Sequence, residues 1–242
     1  ADLKAYEQFV LNGKEVPLVA LMKYLLSTTN KKLSIVTTNY DRIAEYSAST
    51  AEAFICTGYA QNYIGHFSDK IHTNALANIK GYKGQVNIWK VHGSLDWFEA
   101  PTKEHIHLPL RKDIPQDYRP LIVTPGLSKY FETHNEPYRT IFAQADNEIQ
   151  NANGFLCIGY GFNDIHVQPK LIQQIKTKPI IVITKELTPK TKETIIEGGC
   201  KNYILIEESN DKETKIYSSS QGERIIENVS YWNLAEYLKL IE

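Results

Sequence analysis

Short runs of β-branched and other apolar residues recur along this chain, and most are followed by a segment with helical spacing. The runs that look most like strands cover residues 33–38, 86–91, 155–160, 179–184 and 203–207. Strands that are apolar throughout are typical of a parallel sheet whose two faces are both covered. The sequence therefore predicts an α/β fold with a doubly wound, mostly parallel sheet and helices on both faces.

The segments between these runs predict the rest of the architecture. Helices are expected over residues 17–26, 42–52, 138–151, 165–175, 189–197 and 232–241, and further strands over residues 105–110 and 121–124. In doubly wound sheets, ligands bind at the carboxyl ends of the strands. We therefore expect the functional residues in the turns that follow residues 38, 91 and 160.

Composition limits the class of protein. The chain has 242 residues and a formal net charge of −1, so no global field favours DNA or RNA, and no direct nucleic-acid binding is expected. No apolar run approaches the roughly 18 to 20 residues that cross a bilayer, and no secretory signal opens the sequence, so no membrane association is expected. Cys56, Cys157 and Cys200 stand alone, which favours reduced thiols and a cytoplasmic protein.

The first turn reads Thr38-Asn39-Tyr40-Asp41. An asparagine amide can both donate to and accept from a sugar hydroxyl, a water molecule or a carboxamide. The alternative is a simple helix N-cap, because Asn and Asp are favoured where a strand runs into a helix. Taken alone, this turn favours the N-cap.

The second turn reads His92-Gly93-Ser94. A histidine at a strand end can act as a general base near neutral pH, and a glycine lets the backbone approach a ligand closely. The alternative is a half-buried histidine in a tight turn, and an isolated His-Gly-Ser favours that alternative.

The third turn covers residues 159–164 and contains Gly159 and Gly161. Two glycines between an apolar strand and a helix resemble a loop that cradles a phosphate or a ribose. The alternative is an ordinary strand-to-helix turn that is capped by Asn163 or Asp164.

His105 and His107 form an H-x-H pair on one face of a predicted strand. Such a pair could supply half of a metal site, but the sequence places no clear third ligand. We interpret both as surface histidines of a hairpin and predict no metal site.

Together and in this order, the three turns resemble the sirtuin-like domains of prokaryotic anti-phage defence proteins. The resemblance is carried by Thr-Thr-Asn-Tyr-Asp at residues 37–41, Lys-Val-His-Gly-Ser-Leu-Asp-Trp at 90–97 and Ile-Gly-Tyr-Gly-Phe-Asn-Asp-Ile-His at 158–166. It extends from about residue 35 to about residue 207. It implies a single Rossmann-like, sirtuin-type NAD-binding domain over residues 1–242, with residues 53–85 and 97–120 as candidate inserted segments.

The resemblance implies that Asn39 and His92 are the catalytic residues. It assigns eight further residues to NAD binding: Thr38, Asp41, Gly93, Ser94, Gly159, Tyr160, Gly161 and Asn163. Asp41 matches a position that lines the nicotinamide end of the site. Residues 159–163 match the turn that approaches the adenosine half.

The defence members of this family cleave the nicotinamide–ribose bond and deplete cellular NAD. The resemblance therefore implies an NAD⁺ glycohydrolase that uses NAD⁺ as its substrate and no other cofactor. Protein-deacylating sirtuins carry four zinc-binding cysteines after the His-Gly motif, and this interval contains none, so no zinc is expected and the hydrolase branch is favoured. The implied partners are further copies of the chain in a homo-oligomer and a HerA-type ATPase or another component of a defence system.

One element of the family is missing from the sequence. The family starts with a strand and a Gly-Ala-Gly-x-Ser turn that holds the pyrophosphate, and we expect both to precede residue 1. The main alternative is a non-catalytic module that binds NAD or ADP-ribose and regulates an effector, followed by a purely structural role. The presence of both Asn39 and His92 favours catalysis.

Overall fold

The computed structural model describes residues 4, 6–14, 16–60, 62–69, 80–109, 111–123, 135–164, 167–210 and 212–241. The chain forms two compact units, residues 1–145 and residues 146–242. Among the described residues, no helix is both long and apolar enough to cross a membrane.

The described residues of the first unit form a π-helical segment, two complete α-helices, seven strands and the start of a third helix. In chain order these are Tyr6–Leu11, α1 (Pro17–Leu26), β1 (Lys32–Thr37), α2 (Ile43–Thr50), β2 (Ala53–Cys56), β3 (Gly65–His66), β4 (Gly84–Lys90), β5 (Gly93–Glu99), β6 (His105–His107), β7 (Arg119–Ile122) and α3 (Tyr138–Asn151). The second unit begins within α3. It continues with β8 (Phe155–Ile158), α4 (Gln168–Ile175), β9 (Ile180–Ile183), α5 (Pro189–Lys192), the π-helical segment Glu193–Glu197, β10 (Tyr203–Glu208), β11 (Thr214–Ser218), β12 (Gly222–Ile226) and α6 (Leu234–Leu238).

A three-stranded parallel sheet of order β1-β4-β2 is the centre of the first unit. Every residue of β4 is buried, as expected for a central strand with both faces covered. Val86 and Ile88 of β4 pack with Met22 of α1 and Ala48 of α2 in one core cluster. Because the parallel strands run in the same direction, the turns after β1 and β4 emerge at the same edge.

A four-stranded antiparallel sheet of order β3-β6-β5-β7 completes the first unit. Its core cluster contains Phe98, Ile106 and Leu108. Strand β5 begins directly after His92, so only Val91 and His92 separate it from β4. The sequence placed Gly93 and Ser94 in a turn, whereas they open a strand, because Gly93 pairs with Ile122 of β7.

The second unit contains a five-stranded sheet of order β12-β11-β10-β9-β8. Strands β8, β9 and β10 are parallel, and β11 and β12 extend the sheet by antiparallel pairing. Cys157, Val182 and Leu205 share one face and one row of the parallel part. The face holding Val182 and Leu205 is fully buried there, which shows where the core of this unit lies.

The α/β class is confirmed, with one parallel sheet, one antiparallel sheet and one mixed sheet. The doubly wound arrangement, the single-domain organisation and the two inserted segments stay predictions. The helix predicted over residues 165–175 is described from Gln168, and residues 165 and 166 lie outside the described part. The helix predicted over 189–197 changes from α to π geometry at Glu193.

Candidate functional site

The loop after β1 carries Asn39 on a turn whose two ends are fixed. The hydroxyl oxygen of Thr37 accepts a hydrogen bond from the Asn39 N–H at 3.1 Å. At the other end, Oδ1 of Asp41 accepts from the N–H of Ile43, the first residue of α2, at 3.0 Å. The Asn39 side chain is exposed and Thr38 is half-buried. Asn39 is therefore presented to solvent by a turn that its neighbours hold in place.

The N-cap interpretation of this turn is correct only in part. The cap position of α2 is Arg42, whose side chain makes no capping hydrogen bond. Asp41 instead forms an Asx-type turn with Ile43, which supports the start of the helix from one residue further out. The predicted role of Asp41 at the nicotinamide end stays a prediction.

His92 comes two residues after the end of β4 and is 5% exposed. Its main-chain oxygen accepts from the Val123 N–H at 2.9 Å. The Tyr40 hydroxyl donates to the main-chain oxygen of Val123 at 2.7 Å, and the Tyr40 ring lies 6.4 Å from the imidazole, between centroids. The loop after β1 and the end of β7 therefore hold His92 from two sides.

The structure brings the Asn39 turn and His92 to the same edge of the parallel sheet. Thr37 lies opposite Lys90 in the β1–β4 register, and the Val91 N–H donates to the Thr37 oxygen at 3.1 Å. Asn39 and His92 each come two residues after this paired position. The sequence predicted functional residues in both turns, because ligands bind at the carboxyl ends of the strands in such sheets.

Gly93 and Ser94 are both buried. Gly93 has a φ of +87°, and a Cβ there would lie 1.9 Å from the main-chain oxygen of Leu121. The Ser94 hydroxyl donates to Oδ1 of Asp96 and lies 3.4 Å from the main-chain oxygen of Tyr40. The Ser94 hydroxyl is therefore engaged inside the protein, and its predicted contact with NAD stays a prediction.

Beneath the loop lies a set of charged residues that sequence reasoning missed. The Lys90 ammonium donates to the main-chain oxygen of Asp41 and to Oε1 of Glu45, the latter at 3.0 Å. Burial raises the pKa of the Glu45 carboxyl, the Lys90 charge lowers it, and Asp96 raises it. The Arg42 guanidinium lies 4.0 Å from Asp96. The available signal was a lysine inside the apolar run over residues 86–91, where a central strand has no solvent-facing side.

The turn after β8 in the second unit is built mainly from backbone conformation. Gly159 has a φ of +63°, and Phe162 is fully buried with a φ of +56°. Left-handed backbone costs a non-glycine residue about 1 to 2 kcal/mol, so the surrounding structure must hold Phe162 in place. The Thr188 hydroxyl donates to the main-chain oxygen of Gly161 at 2.7 Å and accepts from the Thr191 N–H.

Three features decide what the turn over residues 159–164 can offer to a ligand. Gly159 and Asn163 are exposed, and a Cβ on Gly159 would meet no atom within 4 Å, so open space faces that glycine. The Tyr160 ring packs on Phe162 at 4.9 Å between centroids, and burial raises the pKa of its hydroxyl. Oδ1 of Asp164 accepts from the Val167 N–H at 3.2 Å, but the N-cap position of α4 is Val167, so the prediction that Asn163 or Asp164 is the cap is wrong.

His105 and His107 do not belong to this site. Both are half-buried, at 18% and 22% exposure, so their interpretation as surface residues is wrong. Each lies 3.9 Å from a carboxylate, Glu99 for His105 and Asp96 for His107, and burial lowers the pKa of His105. In the part of the chain that the structure describes, no group of three or more His, Cys, Asp or Glu side chains is placed to hold a metal ion.

A comparison with protein-family models identifies the family of the chain. The family model of the SIR2-like domain matches residues 33–186, which is more than half of the 242 residues and includes every predicted site residue. No curated protein matches the chain.

Proposed function

Because the chain belongs to the SIR2-like domain family, we propose that it is an NAD⁺ glycohydrolase that depletes NAD⁺ in anti-phage defence. Family membership indicates an NAD-related function, and the hydrolytic reaction and the defence role are the proposed step beyond it. The observation that carries the proposal is the convergence of Asn39 and His92 at the shared edge of β1 and β4.

In the proposed reaction, the bond between the ribose C1′ and the nicotinamide nitrogen breaks, and nicotinamide leaves with the electron pair. Positive charge develops on the ribose, a water molecule attacks C1′, and that water loses a proton. The products are nicotinamide, ADP-ribose and a proton, so atoms and charge balance. The site has to orient the water and accept the proton.

Asn39 and His92 are suited to these two tasks. The exposed Asn39 amide can bind a ribose hydroxyl or the water, because it offers both donors and an acceptor. The His92 imidazole accepts a proton from the water or from a ribose hydroxyl, and general acid–base help of this kind contributes about 100- to 10,000-fold. Asp41, Thr38, Gly93 and Ser94 are proposed to shape the nicotinamide end.

The turn over residues 159–163 is a separate part of the proposal. Its exposed glycine, and the open space beside it, support a role in binding the adenosine half of NAD⁺. This role is tested on its own, by the affinity for ADP-ribose. NAD⁺ is proposed as the only small-molecule requirement, without zinc.

A non-catalytic module that binds NAD or ADP-ribose is the second candidate. It is favoured by the burial of His92, which exposes only 5% of its surface, since a general base has to reach the proton that it takes. Such a module would bind ADP-ribose and would not depend on the His92 imidazole for turnover.

The deciding experiment measures nicotinamide release from NAD⁺ by the full-length protein, alone and with its genomic neighbour. His92→Ala and Asn39→Ala are expected to lower release about 100-fold or more without unfolding the protein. His66→Ala is the matched control, because that imidazole is 60% exposed and lies outside the site. If both site variants are folded and cleave NAD⁺ like the wild type, the catalytic assignment is wrong.

Partners and assembly are tested by two further measurements. Light scattering on the purified protein reports whether it forms the proposed homo-oligomer. Co-purification with a HerA-type ATPase encoded beside it reports the proposed complex. Retained ADP-ribose binding without any NAD⁺ cleavage, alone or in that complex, would favour the regulatory module.

A further inference from the structure

Lys90 is an unusual residue for the centre of a parallel sheet. It is the last residue of β4, its side chain is fully buried, and it is the only buried lysine among the residues that the structure describes. Burying an ammonium group is costly unless it is paired and hydrogen-bonded. Well-packed apolar residues of similar size are often at least as stable as a buried ion pair, so stability alone does not explain Lys90.

The contacts of Lys90 connect three elements. Its ammonium donates to the main-chain oxygen of Asp41, in the loop that carries Asn39, and to Oε1 of Glu45 on α2 at 3.0 Å. The other oxygen of Glu45 is buried and has no hydrogen-bond partner among the described residues. The pair is therefore organised around the lysine, which makes both contacts, and the glutamate supplies its counter-charge.

The position of Lys90 relates this contact to His92. The two residues are two apart in sequence, at the end of the same central strand, and Lys90 lies opposite Thr37 in the β1–β4 register. One hydrogen bond thus joins the strand that leads to His92 with the loop that presents Asn39. The bond is charge-assisted, a class roughly twice as strong as a neutral hydrogen bond.

We propose that Lys90 is a positioning residue that fixes the main chain of residues 39–41 relative to His92, with Glu45 as its counter-ion. The inference rests on the proposed function of Asn39 and His92. Lys90 is fully buried and acts through the Asp41 carbonyl rather than on the substrate. Its loss moves the Asn39 amide away from the geometry that the reaction needs, while the binding surfaces for the rest of NAD⁺ stay in place.

The expected signature is a change in kcat with little change in KM. A misplacement of about 1 Å in a catalytic site can lower the rate about 100-fold, even when the change lies away from the chemistry. An interaction that matters only in the transition state lowers kcat and kcat/KM equally. A merely structural residue would instead lower the melting temperature and leave kcat of the folded fraction unchanged.

The test uses the double variant Lys90→Met/Glu45→Leu of the full-length protein. Removing both charges leaves no unpaired buried ion, so the melting temperature is expected to stay near that of the wild type. Release of nicotinamide from NAD⁺ is expected to show kcat lowered about 100-fold and KM changed by less than about threefold. Glu45→Gln keeps an acceptor oxygen for Lys90 and is expected to retain most of kcat. Wild-type kcat in a stable double variant would overturn the proposal.

A control separates positioning from stability. Leu26→Ala removes a buried side chain from the core cluster of the parallel sheet and does not touch the loop. It lowers the melting temperature by leaving a cavity and is expected to keep kcat. If Leu26→Ala lowers kcat as much as the double variant does, the effect of Lys90 is one of stability and the proposal is wrong.

A readout without activity keeps the inference separate from the proposed function. Amide hydrogen exchange of residues 38–42, measured by mass spectrometry, is expected to be faster in the double variant, while exchange in β4 and α2 stays unchanged. If the wild type releases no nicotinamide, the proposed function fails, and the positioning role is judged by this exchange alone. Unchanged exchange in residues 38–42 would overturn it.

Discussion

Two candidate regions follow the carboxyl ends of parallel strands: the edge of the parallel sheet in the first unit and the turn after β8 in the second unit. They differ in the interactions that hold them. At the first edge, buried charged side chains hold the loop, chiefly Lys90 with Glu45 and Arg42 with Asp96. At the second, left-handed backbone and one hydroxyl, that of Thr188, hold the turn. A site that has to place reacting side chains needs a supporting framework, whereas a turn that offers backbone to a ligand needs only the right conformation.

Of the variants in the two regions, Lys90→Met is expected to lower the free energy of unfolding most, because it leaves Glu45 buried without its counter-charge. Breaking a buried ion pair costs about 3 to 5 kcal/mol near neutral pH. The folded-state pKa of Glu45 is already raised by burial, and the loss of Lys90 raises it further, with the Asp96 charge acting in the same direction. When the pKa of a carboxyl is higher in the folded than in the unfolded state, the protein is most stable at pH values below the unfolded-state pKa. This stability is lost as pH rises through the folded-state pKa.

The melting temperature of Lys90→Met should therefore fall between pH 5 and pH 8 by more than that of the wild type. Differential scanning calorimetry across this range checks the prediction. Lys90→Met/Glu45→Gln is the matched control and should show no added pH dependence, since the titrating carboxyl is gone. An equal loss of stability at every pH in the single variant would show that Glu45 is not the group responsible.

Gly93→Ala comes next and tests how tightly the first edge is packed. The new Cβ would meet the Leu121 oxygen at 1.9 Å, and the φ of +87° disfavours any side chain. Overpacking and left-handed backbone together are expected to cost about 3 kcal/mol or more. Chemical denaturation of the purified variant gives the value. A loss below about 1 kcal/mol would mean that β5 and β7 can separate easily at this point.

Thr188→Val tests the hydroxyl that holds the turn after β8. Loss of the bond to the Gly161 oxygen and of the cap on Thr191 is expected to cost about 1 to 2 kcal/mol. Thr177→Val is the control, because its hydroxyl is exposed and makes one long bond of 3.3 Å to Gln174. Equal denaturation midpoints for the two variants would show that the Thr188 hydroxyl does not stabilise this turn.

Gly159→Ala is expected to have the smallest effect on stability. Its φ of +63° costs alanine about 1 kcal/mol, but the Cβ meets no atom within 4 Å. If open space at Gly159 faces the adenosine half of NAD⁺, the variant should bind ADP-ribose more weakly in calorimetry. Gly222→Ala is the control. Gly222 lies on the β11–β12 hairpin, and its φ of +71° and open surroundings match those of Gly159. Equal affinity in both variants would contradict a ligand at Gly159.

Much of the fold could be predicted because apolar runs indicate strands, and the ends of the strands locate the turns at the edge of the sheet. The positions of β1, β9 and β10 follow from that logic, and so does the choice of the turns after β1 and β4 as candidate sites. The hairpin β11–β12 could not be found in this way, because every residue of β12 is exposed and no burial pattern marks it. It joins the sheet through the antiparallel pairing of β11 with β10.

The candidate site could be located from the sequence, but its supporting framework could not. Lys90 and Glu45 are 45 positions apart, and only the pairing of β1 with β4 brings the loop and α2 over the lysine. The restriction on Gly93 likewise depends on Leu121 in another strand. Long-range contacts of this kind carry no local pattern, so sequence reasoning reaches the residues that face a ligand before it reaches those that hold them.

The direct passage from β4 into β5 has a consequence for how the chain length can vary. Val91 and His92 alone connect a strand of the parallel sheet to a strand of the antiparallel sheet. Adding or removing one residue there would turn every side chain of one strand to the opposite face, because the faces of a strand alternate. One of the two buried residues Trp97 and Phe98 would then take the position of Asp96 or Glu99, or Lys90 would lose its contacts with Asp41 and Glu45. We therefore expect the number of residues between Lys90 and Ser94 to be as constrained as their identity, and an insertion at this connection to unfold one of the two sheets.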